Sequence, residues 1–261
     1  MSGTQKEKRA RLAVLTLLAV FADIHANREA FDACFAAARA QGAERFVLLG
    51  DLVGYGADPV YVVERAAQLR AEGAIVLQGN HDAAIGAPSD TMNAHARAAI
   101  AWTQAQLSSA HQGFLKGLPL TAELDETLLV HAEAAHPERW IYIAHPLEAE
   151  RSLRATQKRV TICGHVHCPQ VYHQARRSLP ALHVPTAGEA VSLAPERKWL
   201  AVLGSVGQPR DDVPDAAYAL YDKERALLTF QRVPYDIQAA AQKIRAAGLP
   251  EVLAARLHVG R

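Results

Sequence analysis

Five short segments place an acid, amide or imidazole directly after an apolar run: FADIHAN (21–27), LLGDLVGYG (48–56), LQGNHDAA (77–84), LLVHAEA (128–134) and ICGHVHC (162–168). Between them they carry Asp23, His25, Asp51, Asn80, His81, His131, His165 and His167. If these runs are strands of one α/β arrangement, their carboxyl ends open on a common crevice and these side chains meet there. Residues two apart on a strand point the same way, so Asp23 with His25, and His165 with His167, are each expected to face one centre. Two carboxylates and five imidazoles gathered out of water need partners. Two divalent cations supply them, and the mixed nitrogen and oxygen donor set suits Zn, Mn or Fe better than Ca or Mg. Two ions about 3.5–4 Å apart clamp a phosphoryl group and generate hydroxide from bound water. Asp51, in the middle of the series, is the natural carboxylate to bridge them. The remaining histidines (His95, His111, His136, His145, His173, His183 and His258) lack this setting. Of these, His111 and His145 are the two that could lie near the crevice.

The elements that would position these residues are legible as alternating apolar runs and helical periodicities. The run ending near Phe21 reads as a buried strand and is followed by a helix from Asn27 that Gly42 ends. RFVLLGD and AIVLQGN read as further strands, separated by a helix with Asp58 as N-cap and Pro59 in its first turn. Such alternation predicts parallel strands with right-handed crossovers. Residues 91–117 are helical throughout and break the pattern, which suggests a cap over the crevice. TLLVHAEA and RVTICGHVH repeat the strand-then-polar unit. Between Gln170 and Val233 short apolar runs predict a more antiparallel sheet. The closing helical segment is broken near Gly248-Leu249-Pro250. One domain over 1–261 is expected, with residues 1–11 a disordered basic tip.

Composition narrows the class. Lys and Arg number 28 against 27 Asp and Glu, so no overall field recruits nucleic acid or an anionic membrane. Three cysteines, with no C-x-x-C pair, suit a reducing cytoplasm better than a disulfide framework. The apolar stretch after KEKRAR is too short to span a membrane and runs straight into DIHAN. Cys163 and Cys168 flank the last histidine pair, but a zinc knot would need a second Cys/His pair at suitable spacing. They read as strand packing and a loop thiol.

The ordered set D-x-H, G-D, G-N-H-D, H and G-H-x-H resembles the calcineurin-like metallophosphoesterase superfamily over nearly the whole chain. DLVGYGADP, GSVGQPRD and the closing VPYDIQAAAQKIRAAGLPEVLAARLHVGR resemble its bacterial branch of small stand-alone predicted phosphodiesterases. The resemblance implies a four-layer α/β/β/α sandwich with a small helical insertion over the active site and a dinuclear metal centre. One ion would take Asp23, His25 and His167, the other Asn80, His131 and His165, with Asp51 bridging and Mn or Fe favoured over Zn. His81 would contact the phosphate and protonate the leaving group, with Asp82 orienting it, and Asn27 and Arg28 would help bind the phosphate. Attack would be in line, by metal-bound hydroxide, most naturally on a phosphodiester. Alternatives within the resemblance are a protein or nucleotide phosphomonoesterase and a dinucleoside polyphosphate hydrolase. A non-catalytic scaffold is the alternative outside it. Ala26, Ala132, Glu133, Val202 and Leu203 depart from the family pattern, which affects the expected substrate range more than catalysis. The implied partner is a small phosphate ester, a nucleotide among the candidates; no membrane is expected, and the near-neutral charge disfavours nucleic acid without excluding a nuclease.

Overall fold

The structure, a computed structural model, describes residues 17–87, 92–175 and 178–261. The basic tip expected at 1–11 and the start of the helical insertion at Thr91 lie outside these residues. Two six-stranded sheets form the centre. The first is built from β1 (Leu17–Phe21), β2 (Arg45–Leu48), β3 (Ile75–Val76), β9 (Ala190–Ser192), β11 (Ala216–Asp222) and β12 (Leu227–Val233), in the order β3-β2-β1-β11-β12-β9. The second is built from β4 (Thr121–Leu124), β5 (Thr127–Val130), β6 (Val160–His167), β7 (Gln170–Gln174), β8 (Ala181–His183) and β10 (Lys198–Gly204), in the order β4-β5-β6-β10-β7-β8.

Each sheet has a parallel half that carries the polar strand ends: β1, β2 and β3 in one, β5, β6 and β10 in the other. The antiparallel strands flank these, so the expected change from parallel to antiparallel is found, β10 excepted. Side-chain alternation builds the layers. On β1, Leu18 and Val20 enter the core between the sheets, whereas Ala19 and Phe21 enter the core under the outer helices. On β6, Val160 and Ile162 face the partner sheet, and Cys163 packs with Leu153 on the helix side. Cys163 is therefore strand packing, as its position in an apolar run suggested.

The helices cover the outer faces. α1 (Arg28–Ala40) and α2 (Pro59–Ala71) lie over the first sheet, and α3 (Asn80–Ala84) is a short turn after β3. α4 (Ala94–Gln106) and α5 (Ser109–Lys116) form the helical insertion, with α5 packed against α2. α6 (Pro146–Arg154) covers the second sheet, and α7 (Ile237–Ala246) and α8 (Glu251–Ala255) close the chain on either side of Gly248, at φ 68°. Asn27 and Asp236 cap α1 and α7 through backbone N–H groups three residues on. Asp58 occupies the capping position of α2 without making that bond. Its carboxylate instead meets Lys243 Nζ at 2.8 Å, and Lys243 also pairs with Glu29, tying α7 to the starts of α1 and α2. No helix among the described residues is long and apolar enough to cross a membrane.

Leu203, one of the departures from the family pattern, is fully buried between the sheets. Truncating it to alanine is expected to cost about 2–5 kcal/mol, through lost transfer energy and the cavity left behind. Urea unfolding checks this: the midpoint should fall while the denaturant slope stays unchanged.

Candidate metal centre and its cleft

The strand ends converge, but not by the simple two-residue alternation expected of them. β1 stops at Phe21, so Asp23 and His25 sit in the following loop. The chain turns by left-handed backbone: φ is 56° at Asp23, 49° at His25, 51° at Ala26, 51° at Asp51, 68° at His165 and 65° at His167. Each such residue costs about 1–2 kcal/mol relative to its relaxed conformation. On β6 the left-handed residues coincide with a register irregularity against β10. Strain of this kind concentrates where the surrounding structure holds side chains for chemistry.

The aim of each imidazole is fixed from behind by a backbone carbonyl. His25 donates from Nδ1 to the Val53 carbonyl (3.1 Å), His131 to that of Leu49 (2.9 Å) and His167 to that of Gln208 (2.6 Å). His165 is reversed: its Nε2 donates to the Trp140 carbonyl at 2.8 Å, leaving Nδ1 toward the cluster. Because Nδ1 carries the proton in His25 and His167, their Nε2 atoms present lone pairs to one another at 3.1 Å. His131 Nε2 meets the Asn80 Oδ1 acceptor at 3.2 Å. Opposed lone pairs repel unless a cation lies among them, so this donor set fits divalent metal.

Asp23, His25, Asp51 and His167 form one buried set of convergent ligand atoms, and Asp51, His131 and His165 form another. Asp51 belongs to both. Its Oδ2 lies 3.6 Å from His25 Nε2 and 3.5 Å from His131 Nε2, and its Oδ1 accepts the His81 N–H at 2.8 Å. Asn80 joins the second set through its contact with His131. All seven residues named as ligands from the sequence are thus brought together. Neither Cys163 nor Cys168 takes part, the latter donating to the Arg210 carbonyl.

The electrostatics suit cation binding. Burial drives His25 and His167 well below the ordinary imidazole value, so both are neutral bases. Burial, reinforced by the charge on His131, takes His165 down to about 3. Burial also pushes Asp23 up to about 7, with His131 opposing and Asp51 adding to the shift. For Asp51, burial likewise opposes ionisation, but His131 and His81 hold its carboxylate well below the usual range. His131 resists its own burial and rises to about 9 because Asp51 and Asp23 face it. The proton on His131 thus occupies a place suited to a metal ion.

His81 is buried beside the two sets, its ring 4.8 Å from His25 and 4.5 Å from Tyr55. Its Nδ1 has no hydrogen-bond partner and is packed against Gly54, where any Cβ would collide with it. Asp82 does not orient this ring, contrary to expectation. Its Oδ1 accepts the N–H groups of Leu52 and Val53, and its Oδ2 accepts that of Gly79. It therefore braces the loop bearing Asp51. The two residues expected to bind phosphate are also otherwise engaged. Asn27, 4% exposed, caps α1 and donates to the Gly207 carbonyl and the Tyr235 hydroxyl. Arg28 is exposed, lying over the Tyr61 ring near Asp32 on α1. Capping and surface packing occupy both side chains.

A cleft of about 620 Å³ opens over the centre. Tyr55, Asn80, His81 and His165 form its floor, Met92, Asn93 and Ala96 one wall, and Arg139, Trp140 and Tyr142 the other. The helical insertion contributes a wall through the start of α4. His111 and His145 lie apart: His111 pairs with Glu64, and His145 precedes α6. The opposite wall had no local sequence signal. Tyr142, 50% exposed, stacks on His165 with ring centres 4.0 Å apart, and Trp140 is left-handed at φ 53°. Glu133, fully buried, organises this wall. It accepts the N–H groups of Ala135 and His136 and the Nε–H of Arg151. Tyr55, Gln208 and Arg210 also stand at the site. They lie in the GYG and GQPRD stretches, whose polar and aromatic residues after an apolar run were the available signal.

Ala26 stands at φ 51°, a conformation glycine adopts without steric cost. Ala26→Gly is expected to raise stability by about 0.5–1 kcal/mol, relief of strain exceeding the added freedom of the unfolded chain. Chemical denaturation of the two proteins at equal metal loading checks this.

With this geometry in hand, known proteins supply the family. The calcineurin-like phosphoesterase superfamily domain matches residues 17–226. An uncharacterized protein of Methanocaldococcus jannaschii is 35% identical over 254 residues, covering 95% of this chain and 100% of that protein. The crystal structure of a metallophosphoesterase from Sphaerobacter thermophilus superposes with a TM-score of 0.83 at 33% identity, covering 94% of this chain and 99% of that one. A hypothetical protein from Pyrococcus horikoshii shares the fold, with a TM-score of 0.75 at 21% identity over 94% of this chain and 98% of that one. Buried acid and imidazole ligands at the ends of two packed sheets, matched along most of the chain, mean that it belongs to the calcineurin-like phosphoesterase superfamily, a hydrolase acting on phosphate esters.

Proposed function

We propose that this protein is a dinuclear-metal phosphodiesterase whose ligands are Asp23, His25 and His167 on one side and Asn80, His131 and His165 on the other, bridged by Asp51. The observation that carries the reading is the membership of Asp51 in both ligand sets, with unprotonated His25 and His167 nitrogens opposed beside it. Ions held there supply Lewis acidity at phosphorus and a lowered pKa for attacking water. Nitrogen and carboxylate donors without thiolate suit Zn, Mn or Fe, and the family resemblance favours Mn or Fe among them.

The chain's own residues do the rest. His81 lines the cleft with Nδ1 sealed against Gly54, so its exchangeable proton toward substrate is on Nε2. Burial keeps this imidazole below its ordinary value in the free protein. An anionic phosphoryl group beside it favours the charged form, which can then protonate a departing alkoxide. Asp51 holds His81 in place through the backbone N–H, coupling the proton donor to the metal bridge. The cleft, at about 620 Å³, has room for substituents on both sides of phosphorus, which favours diesters over monoesters. Arg139 and the aromatic wall suit an anionic, aryl or nucleoside ester. Three free thiols, two of them buried, suit action in a reducing cytoplasm.

Metal-stripped protein re-supplied separately with Mn, Fe, Zn, Ni, Co or Mg is expected to hydrolyse a bis-aryl phosphodiester faster than the matching monoester. His81→Ala should lose about 10²–10⁴-fold in kcat while retaining two ions per chain by elemental analysis. Asp51→Asn should lose metal as well as turnover. A faster monoester would make the protein a phosphatase, and turnover unaffected by His81→Ala would remove His81 from the mechanism.

A further inference from the structure

Two arginines stand near the metal cluster on one shared acceptor. Arg210, in the loop after β10, and Arg256, just beyond α8, share one neutral acceptor. Arg210 Nη2 donates to Gln208 Oε1 at 3.0 Å, and Arg256 Nη1 donates to the same oxygen at 3.2 Å. Both side chains are partly buried, and neither forms a salt bridge with an acidic side chain among the described residues. Among the described residues their side chains also hydrogen-bond the Tyr55 hydroxyl, 3.4 Å from Arg210 Nη2, and the Arg261 main-chain oxygen, bonded by Arg256 Nε. Guanidinium groups drawn onto one neutral acceptor repel at a cost that burial increases.

The donors left over point the same way. Gln208 is 1% exposed, yet its Nε2 has no partner among the described residues. The amide cannot be reversed, because that would set its NH₂ against two guanidinium donors. Arg210 Nε is likewise buried and unpaired. One residue therefore joins the metal cluster to the arginine pair: the Gln208 carbonyl holds His167, while its side chain holds both guanidinium groups. The Arg210 N–H bonds the His167 carbonyl, and Tyr55 lies between Arg210 and the rings of His25 and His81. Tyr55 also lines the cleft.

We propose that Arg210 and Arg256, with Gln208 Nε2 and the Tyr55 hydroxyl, form a second anion subsite beside the metal centre, which takes a phosphate other than the one being cleaved. The preferred substrates are then phosphate esters that carry a further phosphate, such as a phosphorylated nucleotide ester. Formal net charge is only +1, so attraction for such a ligand has to be local, and this pair supplies it. The assignment of substrate rests on the phosphoesterase reading above. The existence of the anion site does not.

The test compares the p-nitrophenyl ester of thymidine five-prime phosphate with and without a phosphate on the three-prime hydroxyl, using the full-length metal-loaded enzyme. The doubly phosphorylated ester is expected to have the higher kcat/KM by about tenfold or more, expressed mainly in KM, as charge-assisted hydrogen bonds of this kind imply. Arg256→Gln and Arg210→Gln should erase that preference. Arg256→Lys should keep part of it, since the charge remains without the fork, and it guards against loss through misfolding. A preference unchanged in both glutamine variants, or absent in the wild type, overturns the substrate assignment. In parallel, inorganic phosphate is added to metal-free protein at ionic strength matched with chloride. A saturable rise in Tm that is lost in Arg256→Gln supports the anion site, and no rise, or an equal rise in the variant, overturns it. If the wild type hydrolyses neither ester with any metal, the phosphodiesterase reading fails, and the phosphate-dependent Tm decides the subsite by itself.

Discussion

The structure turns on one electrostatic requirement. Two carboxylates and four imidazoles lie out of water with their free donor atoms turned inward. Each imidazole is tied from behind to a backbone carbonyl of another segment: Val53, Leu49, Gln208 or Trp140. These bonds fix which nitrogen of each ring faces inward, as metal ligation requires. They also couple the loops, since displacing any one carbonyl would turn its imidazole. The site is thus a property of five connected loops and not of a single motif.

Meeting that requirement needs backbone that the chain would not otherwise adopt. Left-handed residues at Asp23, His25, Asp51, His165 and His167 turn these side chains inward where the backbone leaves the regular extended conformation. The neighbouring structure over-determines these turns. Asp82 takes three backbone N–H groups around the Asp51 loop, and Asp23 takes the His165 N–H. Ser205 Oγ donates to the Asp23 carbonyl and accepts the Gln208 N–H, locking the loop after β10 against the first strand. Gly164 permits one close approach, because a Cβ there would lie 2.6 Å from Ala22 Cβ and 2.7 Å from Asp23 Oδ2. Two sheets packed with their polar ends together can carry this strain because the cores on both sides of each sheet hold the strands in register.

Much of this could be read from the chain alone, for a physical reason. A buried ligand must follow directly on a buried strand, so Asp23, Asp51, Asn80, His131 and the two histidines of GHVH each stood beside an apolar run. The layers followed from the same runs. Neighbouring residues could not be sorted that way. Asn27 and Arg28 stand next to Asp23 and His25, but the start of α1 sends one into its cap and the other outward. Asp82 adjoins His81, yet a carboxylate inside a helical first turn finds backbone N–H groups before it finds a ring. Arg256, Trp140 and Tyr142 reach the site from distant segments through the packing of loops, which leaves no periodic trace.

Glu133 shows how such a fold changes substrate without changing its chemistry. It stands two residues after His131, where the family pattern commonly has a small polar residue. As a fully buried carboxylate, its two oxygens would be costly to leave unpaired. The Ala135 and His136 N–H groups and Arg151 satisfy them, which anchors the start of the segment that runs on to Trp140 and Tyr142. Further along that segment the Trp140 carbonyl meets His165 and the Tyr142 ring stacks on its face. One buried charge therefore sets the tautomer of His165 and one wall of the cleft together. The convergent acids and imidazoles are constrained by one another, whereas this wall is held by Glu133 and its partners and by its contacts with His165. Variation in substrate among proteins with this centre is expected to enter through positions of that kind, which keep the metal geometry while reshaping what stands above it.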